Sequence, residues 1–551
     1  MRSNEHKKNE YHPSISHRMR AVVFGYLMEL SDHYNISSES FETACMIFDK
    51  YIENDRKTNI LNVRDIQPLG ITCFWIATKI YEHINKIPSG IDLSNVDDSC
   101  NVKILCKMEY HILHNLNWDI HYKTPAYYVQ QLAREYLNFD KSLETYDKIF
   151  NLIDLTYLSY QFYKYDTKVI ANCVLNIVLE TNYMIDPNNS SEIDECIKKI
   201  KDFSNKYKHA IKFINEKKED RKWFHQRFYS CEKIIYDESN NISSSSDATN
   251  DNNNNKYDVP STYASYKLTK KCGEGTYAKV YKGIKDDNDE KVMTLKRFKK
   301  FEKTEGIDSS TIIEISLLKK LNHRHIISLT DVCYDNSNIV MVYDYCRITL
   351  HDLNFNYVNT FRIKKYMKEI LQALEYCHAY GIIHCDVKPA NILINKHCVK
   401  LCDFSCSTVT HIENKYAQMV TLWYRSPELL LGSTNYGTPV DIWSAGCILA
   451  EMHLRHVLFE SSTKEEQLDK IFRFLGTPDK SSELISCPEY KEDFPIYDRK
   501  KFNISETCDD LLYKMLEMNP SKRICASDAL KHEYFKELDE NETKTVNLCE
   551  I

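Results

Sequence analysis

Ile382 to Ile394 reads IIHCDVKPANILI and sets Asp386, Lys388 and Asn391 at a spacing of two and three residues. A second carboxylate, Asp403, follows a short apolar stretch in VKLCDFS. These types at this spacing suit phosphoryl transfer. Asp386 takes a hydroxyl proton, Lys388 sits by the moving phosphoryl group, and Asn391 and Asp403 hold Mg²⁺ against the phosphates of ATP. A solvated loop that carries DxKxxN by coincidence is the plainer reading, so other stretches must decide.

Upstream, YKLTKKCGEGTYAKVYKGI opens as a strand and turns through a glycine-rich tip. Gly273 and Gly275 let the backbone close over phosphates, together with Glu274, Thr276, Tyr277 and Ala278. Val280 then covers an adenine. Ala278 stands where a third glycine is expected, so GxGxxA alone says little. VMTLK alternates as a strand and ends in Lys296, which can reach the α/β-phosphates. EGIDSSTIIEISLLKKL reads as a helix whose Glu314 can pair with Lys296. Downstream, VTLWYRSPELLLG is followed by Asp441 in DIWSAGCILAEM and Arg523 in NPSKRICASDAL.

The elements that position these residues belong to a chain of 551 residues, room for about two to four domains. Net charge is −7, which gives no sign of a nucleic-acid or membrane binder. The 20 cysteines are scattered without zinc-type pairs and read as free thiols of a reducing compartment. The N-terminal MRSNEHKKNE is polar, and no apolar run approaches the roughly 18–20 residues of a membrane span. The expected localisation is intracellular and soluble, in cytoplasm or nucleus.

The first half is patterned as helices. Val22, Val23, Tyr26, Leu27, Leu30 and Tyr34 make one stripe, and Phe41, Ala44, Ile47, Phe48 and Tyr51 a second. Ile66 to Ile80 is apolar nearly all round and should be central, and Val102 to Leu116 gives another segment. Thr124-Pro125 breaks the run before further helical segments reach about Tyr236. An all-α bundle of two repeats follows. MRAVVFGYLMEL, IQPLGITCFWIATKIYE and KMEYHILHNLNWDI resemble the first, third and fifth helices of a mitotic-type cyclin box, and TPAYYVQQL is similar to the start of its second repeat. The resemblance implies that Lys79 and Glu109 pair and grip a kinase. It also implies a shallow docking groove for peptides at Met19, Val22, Tyr26, Glu29, Ile66 and Gln67, with Tyr26 where the family usually has Trp.

Between the halves, DESNNISSSSDATNDNNNNKYDVP has almost no apolar residue and cannot repay its ordering entropy. A coil of this length spans roughly 25–30 Å and sets an effective concentration on the order of millimolar. Two domains that bind each other even weakly would stay docked.

GEGTY, the EGI…EISLLKKL helix, VTLWYRSPE and FLGTPD resemble the cyclin-dependent kinases of the CMGC group. The expected organisation is multidomain: an all-α cyclin fold followed by an α+β bilobal protein kinase fold. Its divisions are a tail at 1–18, cyclin repeats at 19–123 and 124–236, a linker at 237–262, a kinase domain at 263–535 and a tail at 536–551. The resemblance implies a serine/threonine kinase that uses ATP and Mg²⁺. Tyr343 backs the ATP pocket and Asp344 to Cys346 form the adenine hinge. Val420 and Arg425 shape a pocket for Pro after the acceptor, while Glu428, Asp441 and Arg523 brace the segment. Thr276 and Tyr277 are candidate inhibitory phosphosites. In this family the helix bearing Glu314 swings in when a cyclin docks, and here a cyclin is tethered.

Departures from the family pattern are specific. Ile313, Cys385 and Thr408 replace the three arginines that usually hold a phosphothreonine, and Tyr416 stands where that threonine should be. Acceptor and receptors are lost together, so activity is expected without activation-loop phosphorylation. Ser405 replaces the usual glycine after Asp403-Phe404. Two other readings stay open: a non-catalytic, kinase-like scaffold, and a cyclin half that activates a separate kinase in trans.

Overall fold

The computed structural model describes residues 15–55, 61–96, 100–136, 143–179, 190–206, 266–274, 278–285, 291–298, 305–335, 338–395, 398–409, 421–478 and 482–538. The chain divides into two compact units. Of the described residues, 15–206 and 305–312 fall in the first, and 266–298 and 313–538 in the second. The linker expected at 237–262 lies outside the described residues.

The first unit is helical: α1 (His17–Tyr34), α2 (Ser38–Asp55), α3 (Ile66–Tyr81), α4 (Gly90–Asn95), α5 (Val102–Asn115), α6 (Pro125–Tyr136), α7 (Leu143–Leu158), α8 (Thr167–Val178) and α9 (Ser190–Lys206). Helix α1 starts at His17, five residues before the apolar stripe begins at Val22, and Ser16 caps it by accepting the Met19 amide at 3.2 Å. Apolar periodicity does not register a polar first turn. Helix α3 is central as expected, with all but Gln67 of its residues buried. Gly70 lets α1 come close, since a Cβ there would strike the Val23 side chain. Val22, placed on the buried stripe by its spacing, is instead 41% exposed. Phe24 and Met28 take the buried face in its stead.

The second unit opens with an antiparallel sheet in the order β1-β2-β3-β5-β4. Its strands are β1 (Tyr266–Glu274), β2 (Ala278–Lys285), β3 (Val292–Phe298), β4 (Leu329–Asp335) and β5 (Asn338–Asp344). Helix α10 (Ser309–Lys320) lies between β3 and β4 in sequence; it begins in the first unit and ends in the second. Short strands β6 (Ile348–Thr349), β7 (Ile382–Ile383), β8 (Ile392–Asn395), β9 (Cys398–Leu401) and β10 (Thr408–Val409) follow, with the long α11 (Thr360–Ala379) between β6 and β7. They pair as β6-β8-β9 and β7-β10. The remainder is helical: α12 (Pro427–Leu430), α13 (Pro439–Leu454), α14 (Lys464–Leu475), α15 (Glu506–Met515) and α16 (Ala526–Leu530). An all-α half followed by an α+β bilobal half is the architecture the pattern predicts. Leu538 is buried, so the packed structure runs slightly past residue 535. Among the described residues no helix is long and apolar enough to cross a membrane, and every cysteine is free.

Each unit is braced by one buried arginine fork. In the first, Arg20 gives Asp49 two hydrogen bonds of 2.7 Å and a third of 2.7 Å to the Tyr157 carbonyl, tying α1, α2 and α7. In the second, Arg523 pairs with both oxygens of Glu428 at 2.7 and 2.9 Å. A planar guanidinium matches a carboxylate in this way, and removing one partner leaves the other charge buried alone. Asp49→Ala should destabilise the first unit by about 3–5 kcal/mol, whereas the double change Arg20→Met, Asp49→Leu should be far milder. Hydrogen exchange of the α1 and α2 amides in the whole protein reads both.

Candidate active site

Asp386, Lys388 and Asn391 lie on the loop between β7 and β8, and the structure brings all three together. Lys388 Nζ is 2.7 Å from Asp386 Oδ2. Asn391 Nδ2 donates to Asp386 Oδ2 at 3.0 Å and to its carbonyl at 2.8 Å. Thr421 completes the group: its hydroxyl donates to Asp386 Oδ1 at 3.0 Å and accepts from Lys388 Nζ at 2.9 Å. The sequence reading missed Thr421, whose only signal was its place beside Val420 in VTLWYR. The loop is fixed from behind by Asp441. That carboxylate accepts the amides of His384 and Cys385 at 2.9 Å each, and His378 Nε2 lies 2.9 Å from it. His378 was also missed, since nothing in its helical spacing marks it apart from a core histidine.

The sheet supplies a second group. Val280 and Met341 are the cross-strand partners of Lys296. Tyr343, two residues from Met341, therefore shares their face. Lys296 Nζ reaches Glu314 Oε1 and Oε2 at 3.0 and 2.7 Å and Asp403 Oδ1 at 3.1 Å. Two further bonds were not foreseen. The Tyr343 hydroxyl donates to Glu314 Oε1 at 3.0 Å, and the Ser405 hydroxyl donates to Asp403 Oδ1 at 3.0 Å. Burial works to lower the Lys296 ammonium, but Glu314 and Asp403 outweigh it and hold it above its ordinary value. Burial raises the Glu314 carboxyl, against the pull of Lys296 and Tyr343. For Asp403 burial is outweighed by Lys296 and the Ser405 hydroxyl, and the carboxyl is lowered. Asp403 is thus kept as an anion.

Asp403 and Asn391 fit a divalent metal. Both bonds to the Asn391 amide use its nitrogen, and both bonds to Asp403 use Oδ1. Among the described residues the Asn391 Oδ1 and Asp403 Oδ2 atoms are left with no protein hydrogen bond. No group of three or more His, Cys, Asp or Glu among the described residues could hold a metal alone. Two protein oxygens completed by phosphate oxygens is a Mg²⁺ pattern.

Of the other expected ATP contacts, Gly273 partners Val280 across β1 and β2, Glu274 partners Lys279, and Ala278 is buried. Asp344 ends β5 with Lys291 at 3.0 Å, and Cys346 beyond it is half-buried. Gly275, Thr276, Tyr277, Tyr416 and Val420 lie outside the described residues. Arg425 is half-buried; burial lowers its basicity and Asp386 pulls it back. Glu428, Asp441 and Arg523 are buried in the bracing bonds given above. Ile313, Cys385 and Thr408 are buried as well, Cys385 in an apolar cluster with Ile383, Leu429, Tyr436 and Val440.

In the first unit, Lys79 and Glu109 form a buried pair at 2.6 Å rather than two solvated charges. Lys79 Nζ also donates to the carbonyls of Glu305 and Ile307 at 2.8 Å each, and lies 3.7 Å over the Trp75 ring. Glu109 Oε2 accepts the Ile307 amide at 2.7 Å. Gly306, between them at φ +63°, has no room for a Cβ, which would strike Glu109 Oε2 and the Trp75 ring. Lysine and glutamate together thus hold a three-residue backbone stretch just ahead of α10. Of the docking-groove residues, Met19, Tyr26 and Glu29 are half-buried on α1, Val22 and Gln67 are exposed, and Ile66 is buried.

Residues 266–535 match the protein kinase domain family, and residues 1–121 match the cyclin N-terminal domain family. The kinase match implies use of ATP and a divalent metal, which the free oxygens of Asn391 and Asp403 suit. One chain therefore carries both a cyclin N-terminal domain and a protein kinase domain.

Proposed function

We propose that the chain is a cyclin-dependent-type serine/threonine kinase with its own cyclin, acting on Ser/Thr-Pro sites, activated in cis and independent of activation-loop phosphorylation. One observation carries the reading. The Lys296–Glu314 pair is closed at 2.7 Å, while the chain just ahead of the Glu314 helix is held by Lys79 and Glu109. A helix whose approach is fixed by a cyclin-type fold, and whose glutamate is already on its lysine, is in the productive arrangement.

In the reaction the acceptor hydroxyl oxygen forms a bond to the γ-phosphorus of ATP as the bond to the β–γ bridging oxygen breaks, leaving ADP. The hydroxyl proton passes to Asp386, the base. Thr421 and Asn391 orient that carboxylate, and Lys388 lies beside it to support the γ-phosphoryl group. Lys296 positions the α/β-phosphates, and Glu314 orients Lys296. Asn391 and Asp403 would hold Mg²⁺, which neutralises charge on the phosphates when bound.

Independence from phosphorylation rests on what replaces the arginines. A dianionic phosphate is held by charge-assisted bonds, and Ile313, Cys385 and Thr408 bring no charge. Cys385 packs among apolar side chains instead, and Asp441 holds its backbone. Preference for proline rests on the resemblance to cyclin-dependent kinases, in which residues at the Val420 and Arg425 positions shape the pocket for the residue after the acceptor. The α1–α3 face with Met19, Val22, Tyr26, Glu29, Ile66 and Gln67 serves as a groove for docking peptides of substrates.

Chain made in bacteria, where no activating kinase exists, should phosphorylate a Ser-Pro peptide, and Asp403→Ala should abolish this. Inactive wild type that recovers on treatment with an activating kinase, with phosphate on Thr408, Thr410 or Tyr416, would sink the reading. Gly306→Ala should displace residues 305–307 and lower activity at least tenfold while the protein stays folded by circular dichroism; unchanged activity would argue against activation in cis. On a peptide array, Pro directly after the acceptor should be required and a basic residue three after it should matter little, because no phosphothreonine is there to read it.

A further inference from the structure

Lys296 has three ammonium hydrogens, and the structure directs it at three acceptors, Glu314 Oε1, Glu314 Oε2 and Asp403 Oδ1. When nucleotide enters, at least one of those hydrogens must turn to a phosphate oxygen. The carboxylate that loses it needs another donor, or it is free to rotate away from the site. Each end of the chain already has one. Glu314 Oε1 carries the Tyr343 hydroxyl at 3.0 Å, and Asp403 Oδ1 carries the Ser405 hydroxyl at 3.0 Å. Tyr343 is buried against Met341, whose sulfur lies 3.3 Å from the same hydroxyl. Asp403 sits at φ +64°, a left-handed conformation that needs restraint. Ser405, two residues on, supplies a local one.

We propose that Tyr343 and Ser405 are positioning residues that clamp the two ends of the Glu314–Lys296–Asp403 chain, so that Glu314 and Asp403 keep their orientation while Lys296 is shared with ATP. Ser405 engages Oδ1 and leaves Oδ2 of Asp403 for the metal. Tyr343 keeps Glu314 turned to the sheet. A phenylalanine or a glycine at these positions could do neither. The proposal rests on the phosphorylation-independent reading above in one respect: the clamping donors are uncharged hydroxyls, and they supply order that a phosphate–arginine cluster supplies elsewhere.

The test uses the full chain with Tyr343→Phe, Ser405→Ala and Ser405→Thr, each checked by thermal melting. Tyr343→Phe and Ser405→Ala should each lower kcat about tenfold, the loss expected for one hydrogen bond to a charged group. KM for the peptide should be unchanged, and Ser405→Thr, which keeps the hydroxyl, should restore most of the rate. Independently of turnover, binding of a fluorescent ATP analogue is titrated with Mg²⁺ and with EDTA. Ser405→Ala should lose several-fold affinity with Mg²⁺ and little with EDTA, and Tyr343→Phe should lose affinity in both. Wild-type kcat and wild-type Mg²⁺-dependent affinity in both variants would overturn the proposal, as would losses that only track melting temperature. An unphosphorylated wild type without activity defeats the functional reading alone, because the nucleotide titration still reads the clamps.

Discussion

A carboxylate held as an anion in a protein interior must be answered by charge or by hydrogen-bond donors, and two such carboxylates organise this chain. Glu109 and Glu314 are 0% and 1% exposed. Left bare, either would lose several kcal/mol of hydration. Glu109 is met by Lys79 and the Ile307 amide, and Glu314 by Lys296 and the Tyr343 hydroxyl. The demand of Glu109 fixes where the backbone of residues 305–307 runs. Glu314 gathers Lys296 of β3 and Tyr343 of β5 to one point of α10. Both demands fall on one short stretch of chain, since Ile307 and Glu314 are separated by little more than the first turn and a half of a single helix. Displacing one end of a stiff helix is therefore felt at the other, which is the physical content of the proposed activation in cis.

Much of this was legible before any coordinates. Asp386, Lys388, Asn391 and Asp403 announce themselves because the chemistry requires those types at close, ordered spacing, and loops that carry them tolerate few alternatives. The helices of the first unit were legible because apolar periodicity is dense there, above all in α3. Short α4, opened by the capping box of Ser89 and Asp92, left too brief a pattern to read. Val22 went astray for a related reason: a valine on an amphipathic helix is placed inside by rule, and only the neighbouring helices decide whether anything covers it.

Hydroxyl partnerships were the least legible layer. Thr421, Tyr343 and Ser405 each make a bond that orients a charged group, yet a hydroxyl's role depends on rotamer and on what the fold sets opposite it. Ser405 could be noticed as an unusual residue, and its effect on backbone freedom could be argued from glycine's absence. That its hydroxyl meets Asp403 could not. Lys79 was legible only through the resemblance, which paired it with Glu109. A lysine on a helix is usually solvated, and only the fold shows it buried against Trp75 with three acceptors around it.

On the proposed reading, packing and hydrogen bonds stand where charge acts in the family the sequence resembles. Around Cys385, itself in the left-handed region at φ +64°, the loop is held by Asp441 from behind and by an apolar cluster from the side. A phosphate gripped by arginines is a switch, because its charge is added and removed and because salt and phosphatases act on it. An apolar cluster offers neither handle: its contribution scales with area buried and is present whenever the chain is folded. On the proposed reading, a kinase that carries its own cyclin has little use for that second switch at the loop. The replacement of acceptor and receptors together by neutral and apolar groups is then the expected result, because any one arginine kept at so buried a position would be a charge without a partner.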